Sequence, residues 1–310
     1  MYESFFGFRA LPFGASPDPR FLCLLPSVRE NLASLHYAIA ARRGVLVMTG
    51  EVGTGKTTLL KAVLNTFSSK RLLSVFLYNP RLNFSDLMEF IFYEFRIPVR
   101  RPTKANLLMQ LDQWLLDRYA EDRLCVLVVD EAQHLSSNVM EEIRLLTNME
   151  TSSAKLLQVI LSGQPELEDR LMEYNLRQLL QRVSVWCKTQ PLSADQTPIY
   201  ISERLRIAGA QAQVFDSGAI DLVHKYSKGI PRIINVVCEH ALICAYAGQT
   251  KFVTSETIES VAEMMNLKQH PPALRGTALP RGRNLNQRAP ETMSTNSIQD
   301  PAVTPRTSGL

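Results

Sequence analysis

No run of 18 apolar residues occurs anywhere in the 310-residue chain, so nothing in it has the length of a membrane-spanning helix. The opening residues Met1-Tyr2-Glu3-Ser4-Phe5-Phe6 hold no basic stretch followed by an apolar one, and no signal peptide is expected from them. Cysteine is scarce and shows no pairing pattern. Cys23, Cys125, Cys187, Cys238 and Cys244 contain no C-x-x-C, which speaks for buried, reduced thiols rather than a disulfide framework. The five histidines show no ligand spacing. A cytoplasmic location is the expectation.

Net charge is also missing from most of the chain. The overall +4 arises in residues 268–310, which hold six basic and two acidic residues, so the rest carries 28 of each sign. A neutral body gives no support for a broad nucleic-acid surface, though a local basic stripe is compatible with it.

What is present is Gly50-Glu51-Val52-Gly53-Thr54-Gly55-Lys56-Thr57, a match to the phosphate-binding P-loop G-x-x-x-x-G-K-[ST]. Val45-Leu46-Val47-Met48-Thr49 before it reads as a buried strand. Thr58-Leu59-Leu60-Lys61-Ala62-Val63-Leu64 after it has helical spacing. A glycine-rich surface turn with a stray lysine would not need that context. The glycines let backbone N–H groups turn inward as an anion nest, and a helix start at Gly55 adds its dipole. Lys56 is the charge for the β- and γ-phosphates, and Thr57 offers a hydroxyl to Mg²⁺.

A second apolar run, Leu124-Cys125-Val126-Leu127-Val128-Val129, ends in Asp130-Glu131. An unbroken apolar strand is buried on both faces, as in a parallel sheet, and acids at its C-terminal end lie where open α/β sheets bind ligands. Asp130 is expected to orient Mg²⁺ or its water shell, and Glu131 to polarise the attacking water. A further strand over 155–161 leads into a turn at Ser162-Gly163-Gln164-Pro165, where Gln164 and Ser162 compete to report the γ-phosphate.

The remaining pattern sets the architecture. Residues 1–26, rich in proline and phenylalanine, are expected to pack on the core as a linker, and Ser27-Val28-Arg29-Glu30 reads as a capping box opening a helix. Strands at 72–78 and 183–187 and helices at 85–95, 104–120 and 137–149 complete an αβα core over 27–192. From 193 to 267 four helices follow without a strand, an α-helical lid. Gly229-Ile230-Pro231-Arg232 opens the third of them, with proline suited to its first turn. Residues 268–310, with six prolines and little apolar periodicity, read as a disordered polar and basic tail.

These motifs resemble AAA+ ATPases of the ExeA-like (general secretion pathway protein A) group. The likeness is carried by Phe6-Gly7-Phe8, Pro12-Phe13, Pro17-Asp18-Pro19-Arg20-Phe21, the P-loop through Thr58, Asp130-Glu131-Ala132-Gln133, Gly163-Gln164-Pro165-Glu166-Leu167, Gln181-Arg182 and Gly229-Ile230-Pro231-Arg232. The resemblance implies a P-loop NTPase core with parallel sheet and lid, ATP and Mg²⁺ as ligands, and a homo-oligomer with nucleotide at a subunit junction. It implies that Arg232 reaches the γ-phosphate in cis, that Arg182 or Arg177 is the arginine finger offered in trans, and that Val28 and the N-terminal segment contact the adenine. Two functions follow. One is an ATPase that assembles or remodels a client protein complex, as in secretion or pilus systems, here without a membrane anchor. The other is an ATP-gated DNA-binding oligomer of the TniB- or TnsC-like kind that regulates transposition.

Overall fold

In the computed structural model, residues 1–78, 81–99 and 102–268 are described; the tail expected over 268–310 lies outside them except for Lys268. Contacts group residues 1–273 as one unit, and the second unit, 274–310, is wholly outside the described residues.

In order, the chain forms α1 (Tyr2–Phe6), a 3-10 turn (Pro19–Phe21), α2 (Pro26–Ala40), β1 (Val45–Thr49), α3 (Lys56–Asn65), β2 (Leu72–Leu77), α4 (Phe84–Glu94) and α5 (Lys104–Ala120). Then come β3 (Leu124–Val129), a 3-10 turn (Ala132–His134), α6 (Ser137–Leu146), β4 (Leu157–Gly163), α7 (Glu166–Leu171), a 3-10 turn (Tyr174–Leu176), α8 (Arg177–Leu180) and β5 (Val183–Lys188). The strandless part holds α9 (Gln196–Ala208), α10 (Ser217–Ser227), α11 (Pro231–Ala247) and α12 (Ser255–Met264).

The strands form one parallel sheet in the order β2-β3-β4-β1-β5. Side chains alternate across a strand, and both sets of the central strands are apolar. Val45, Val47, Leu127, Val129, Val159 and Leu161 face the cluster filled by α4, α5 and α6. Leu46, Met48, Val126, Val128 and Ile160 face the cluster of α2 and α3. Covering both faces is why β1, β3 and β4 are buried end to end, while the edge strands β2 and β5 are only partly so.

Two expectations need correction. Ser27 does not cap α2: the helix starts two residues earlier than such a cap would give, with Pro26 at its first position and Leu25 extended before it. Proline's fixed φ begins the helix there, leaving Ser27 inside the first turn. The strand expected at 155–161 runs later, from Leu157 through Gly163. Lys155 instead pairs antiparallel with Glu150 and Leu156 N–H bonds Met149 O, closing a small loop before the strand starts. The N-terminal aromatics pack mainly among the helices of the strandless part, while Leu22 after the 3-10 turn packs against the cluster of α2 and α3 in the core.

That packing has a clear cause. Tyr2, Phe8, Phe13, Phe21, Cys23 and Leu25 share one buried cluster with α9–α12. At its centre the Arg204 side chain of α9 donates to Pro12 O at 2.6 Å and to the Tyr200 hydroxyl at 3.0 Å, with its guanidinium 4.8 Å from the Phe21 ring centre. A carbonyl and aromatic faces thus take the place of a carboxylate around this buried cation. Because Phe13 is 2% exposed whereas Leu24 nearby is 49% exposed, Phe13→Ala should cost about 3–5 kcal/mol of unfolding free energy and Leu24→Ala about 0.5 or less, measured by denaturant titration.

Candidate functional site

The sheet register builds the site. Thr49 at the end of β1 lies opposite Gly163 at the end of β4, and Val129 at the end of β3 lies opposite Leu161. Gly50 and Asp130 therefore leave the sheet at its C-terminal edge, beside Ser162, the next-to-last residue of β4. The loop Gly50–Gly55 follows β1, and α3 starts at Lys56 after Gly55, which is left-handed at φ 98°. The loop is tied down at its base: Gly50 N–H donates to Gly163 O, Thr54 Oγ1 donates to Glu51 O at 2.7 Å, and the Thr54 and Thr189 hydroxyls pair at 2.7 Å. Glu51 is half-buried and Val52 exposed at the tip. Thr57 and Thr58 stand in the first turn of α3 beside Lys56.

Lys56 is buried and donates through Nζ to Gly50 O at 2.8 Å and Glu51 O at 3.1 Å. Burial pulls its pKa below the usual lysine value, while Glu131, Asp130, Glu51 and Glu166 push the other way. A polyanion at the loop would favour its charged form strongly. Thr57 Oγ1 donates to Asp130 Oδ2 at 2.9 Å, joining the loop helix to β3. The other Asp130 oxygen accepts from Ser162 Oγ at 2.8 Å and from Glu131 N–H at 3.1 Å.

Glu131 is left-handed, at φ 52° and ψ 38°, a conformation rarely adopted by a residue with a long side chain. Gln133 Nε2 and Gln164 Nε2 both donate to its Oε2, at 2.6 and 3.1 Å. Burial raises its pKa, but these two bonds and the Lys56 charge outweigh it, and the carboxyl ends below the usual glutamate value. It is a carboxylate, and so a proton acceptor, at neutral pH.

Arg232 belongs to α11, yet its backbone N–H donates to Gly53 O at 3.1 Å. Gly53 has φ 81°, and a Cβ on it would lie 2.7 Å from the Arg232 Cβ. Only glycine permits this approach. The fold therefore brings Gly50–Thr58, Asp130, Glu131, Gln164 and Arg232 to one place. Arg182 stands apart: its guanidinium donates to Thr147 Oγ1 at 2.9 Å and Arg144 O at 3.3 Å. Arg177 is exposed, with its guanidinium 4.1 Å above the Tyr174 ring. Two residues at the site escaped sequence reasoning as site residues: Gln133, visible only as the fourth letter of Asp130-Glu131-Ala132-Gln133, and Thr189, which no local pattern marks.

An AAA domain matches residues 39–171. Over 270 residues the chain is 39% identical to General secretion pathway protein A of Aeromonas hydrophila, spanning 86% of this chain and about half, 49%, of that protein. Among solved structures, Aeropyrum pernix ORC2 superposes with a TM-score of 0.65 at 16% identity, over 83% of this chain and 72% of that one. Cdc6p of Pyrobaculum aerophilum gives 0.62 at 17%, over 80% and 71%. The Thermotoga maritima RuvB branch migration motor gives 0.52 at 16%, over 77% and 69%. At these identities the three structures share the fold.

Because the folded pKa of Glu131 lies below its unfolded value, its bonds favour folding at neutral pH, and that contribution fades as pH falls through the folded value. Titration followed by carboxyl NMR should give Glu131 a pKa below 4.5. Gln164→Leu, which removes one donor, should raise it.

Proposed function

Because the chain belongs to the ExeA-like group of AAA+ ATPases, we propose that it binds ATP with Mg²⁺ at the Gly50–Thr58 loop, hydrolyses it, and uses the turnover to assemble or remodel a protein complex. The observation that carries this reading is the convergence of Lys56, Thr57, Asp130 and Glu131, with Thr57 Oγ1 and Asp130 Oδ2 at 2.9 Å. Loop amides and the Lys56 ammonium hold the β- and γ-phosphates. Among the described residues no group of three or more His, Cys, Asp or Glu is placed to hold a metal. The oxygens of Thr57 and Asp130 suit a hard cation that takes its other ligands from phosphates and water. When bound, Mg²⁺ supplies charge neutralisation of the phosphate oxygens.

Glu131 accepts the proton of the water that attacks the γ-phosphorus. As that O–P bond forms, the bond to the bridging oxygen breaks, giving ADP and inorganic phosphate. Gln164 lies beside it through the bond to Oε2 and reports the γ-phosphate; Arg232, touching the loop at Gly53, reaches the same phosphate from α11. The site works as part of a homo-oligomer. Arg182 is engaged within its own chain, so the exposed Arg177 is the better arginine to offer a neighbouring copy's nucleotide. Among the described residues no helix is long and apolar enough to cross a membrane. The competing reading is an ATP-gated DNA-binding oligomer of the TniB- or TnsC-like kind.

Lys56→Ala should abolish nucleotide binding, measured with a fluorescent ATP analogue. Glu131→Gln should keep that binding and lower turnover by about 10² to 10⁴; turnover equal to wild type would remove Glu131 from its role. Arg177→Ala should lower turnover with little change in affinity, and wild-type subunits mixed in should restore activity in part. Turnover unaffected by duplex DNA supports the protein-remodelling reading. Strong stimulation that falls steeply with salt would replace it with the DNA-binding one.

A further inference from the structure

Gln133 lies in the turn after Glu131 and is 9% exposed. Two bonds fix which way its amide faces. A backbone N–H can only donate, so Gln133 Oε1 must face Gln164 N–H, at 3.2 Å. Its Nε2 then faces Glu131 Oε2, at 2.6 Å. Gln164 Nε2 donates to the same oxygen at 3.1 Å. Both bonds land on Oε2, and Oε1 carries neither.

The amide is itself held from two sides. Arg170 of α7 donates through one nitrogen to the carbonyls of Gln133 and Leu135, the latter at 2.5 Å, which fixes the turn. Opposite, Gly163 leaves room for it: a Cβ there would come within 2.6 Å of Gln133 Oε1. The left-handed backbone at Glu131 is the kind of conformation that persists only where its surroundings over-determine it. The surroundings here are this amide, the Gln164 amide and the bond from Glu131 N–H to Asp130 Oδ1.

We propose that Gln133 is a positioning residue for Glu131: with Gln164 it pins one carboxylate oxygen and so turns the other toward the water that attacks the terminal phosphate. The inference rests on the ATPase reading above. Gln133 also bridges β3 and β4, since one amide bonds the acid after one strand and the backbone after the other. A shift of Gln164 at the γ-phosphate therefore reaches Glu131 by two routes, its own side chain and the Gln133 amide.

The test compares full-length wild type with Gln133→Met, which keeps length and burial but removes donor and acceptor, and Gln133→Glu, which keeps volume and places an acid against Glu131. Nucleotide affinity, thermal midpoint and turnover are measured for each. In Gln133→Met, affinity should stay within about twofold and turnover should fall about 10- to 100-fold, the scale of a misplaced reacting group. Gln133→Glu, which sets a second carboxylate against Oε2, should lower turnover further at unchanged affinity. Turnover equal to wild type in both variants would overturn the proposal. So would lower turnover that comes with weakened nucleotide affinity and a lower thermal midpoint, which marks a purely structural residue. Should Gln133→Met fail to fold, Gln133→Glu carries the comparison. Wild type that binds ATP without hydrolysing it defeats the ATPase reading itself; active wild type with indistinguishable variants defeats only the role of Gln133.

Discussion

Three parallel strands held in one register are the constraint from which the site follows. The pairings Thr49 with Gly163 and Val129 with Leu161 bring Gly50, Asp130 and Ser162 to the same edge of the sheet. A slip of one residue in β3 would turn Asp130 away from Thr57 and Ser162 and exchange the two apolar side-chain sets of the strand between the helix layers that now pack them. Register is therefore tied to how each set fits its own layer. The apolar strands hold the chemistry in place without containing any of it.

Charge is balanced around that geometry. Lys56 loses from burial, and four carboxylates offset part of that loss. Glu131 also loses from burial, and two amides with Lys56 restore its preference for the anion. Each charged group is thus kept ionised by the other and by neutral donors, so the site holds opposite charges close together without letting them collapse into a direct ion pair. Lys56 spends its hydrogen bonds on loop carbonyls, and Glu131 spends one oxygen on amides.

The phosphate loop, the acids after β3 and the αβα layering were legible because each rests on a local signal: a motif between two periodic segments, or an unbroken apolar run. Arg232 was legible only by resemblance, since its approach to Gly53 joins residues 179 positions apart. Five phenylalanines say that the N-terminal segment is buried, not against what; the group that gathers them is Arg204, which looks like an ordinary helical arginine in sequence. Ser162 and Gln164 could not be separated from sequence because the strand runs further than its apolar residues, taking in Ser162 and stopping just before Gln164. In the structure they divide the work, Ser162 bonding Asp130 and Gln164 bonding Glu131.

The helical part is coupled to the phosphate loop by backbone as well as by side chain. Leaving β5, Thr189 N–H bonds Thr49 O, and its hydroxyl meets Thr54 of the loop. Three residues later Leu192 N–H bonds Gly229 O, just ahead of α11, whose Arg232 N–H returns to Gly53 O. The path runs from loop to connector to helix and back to the loop. Gly53 and Thr54 are thus each held from outside the loop, Gly53 at its carbonyl by α11 and Thr54 at its hydroxyl by the connector after β5. Part of the hydrogen bonding that the loop's backbone requires therefore comes from beyond its own turn.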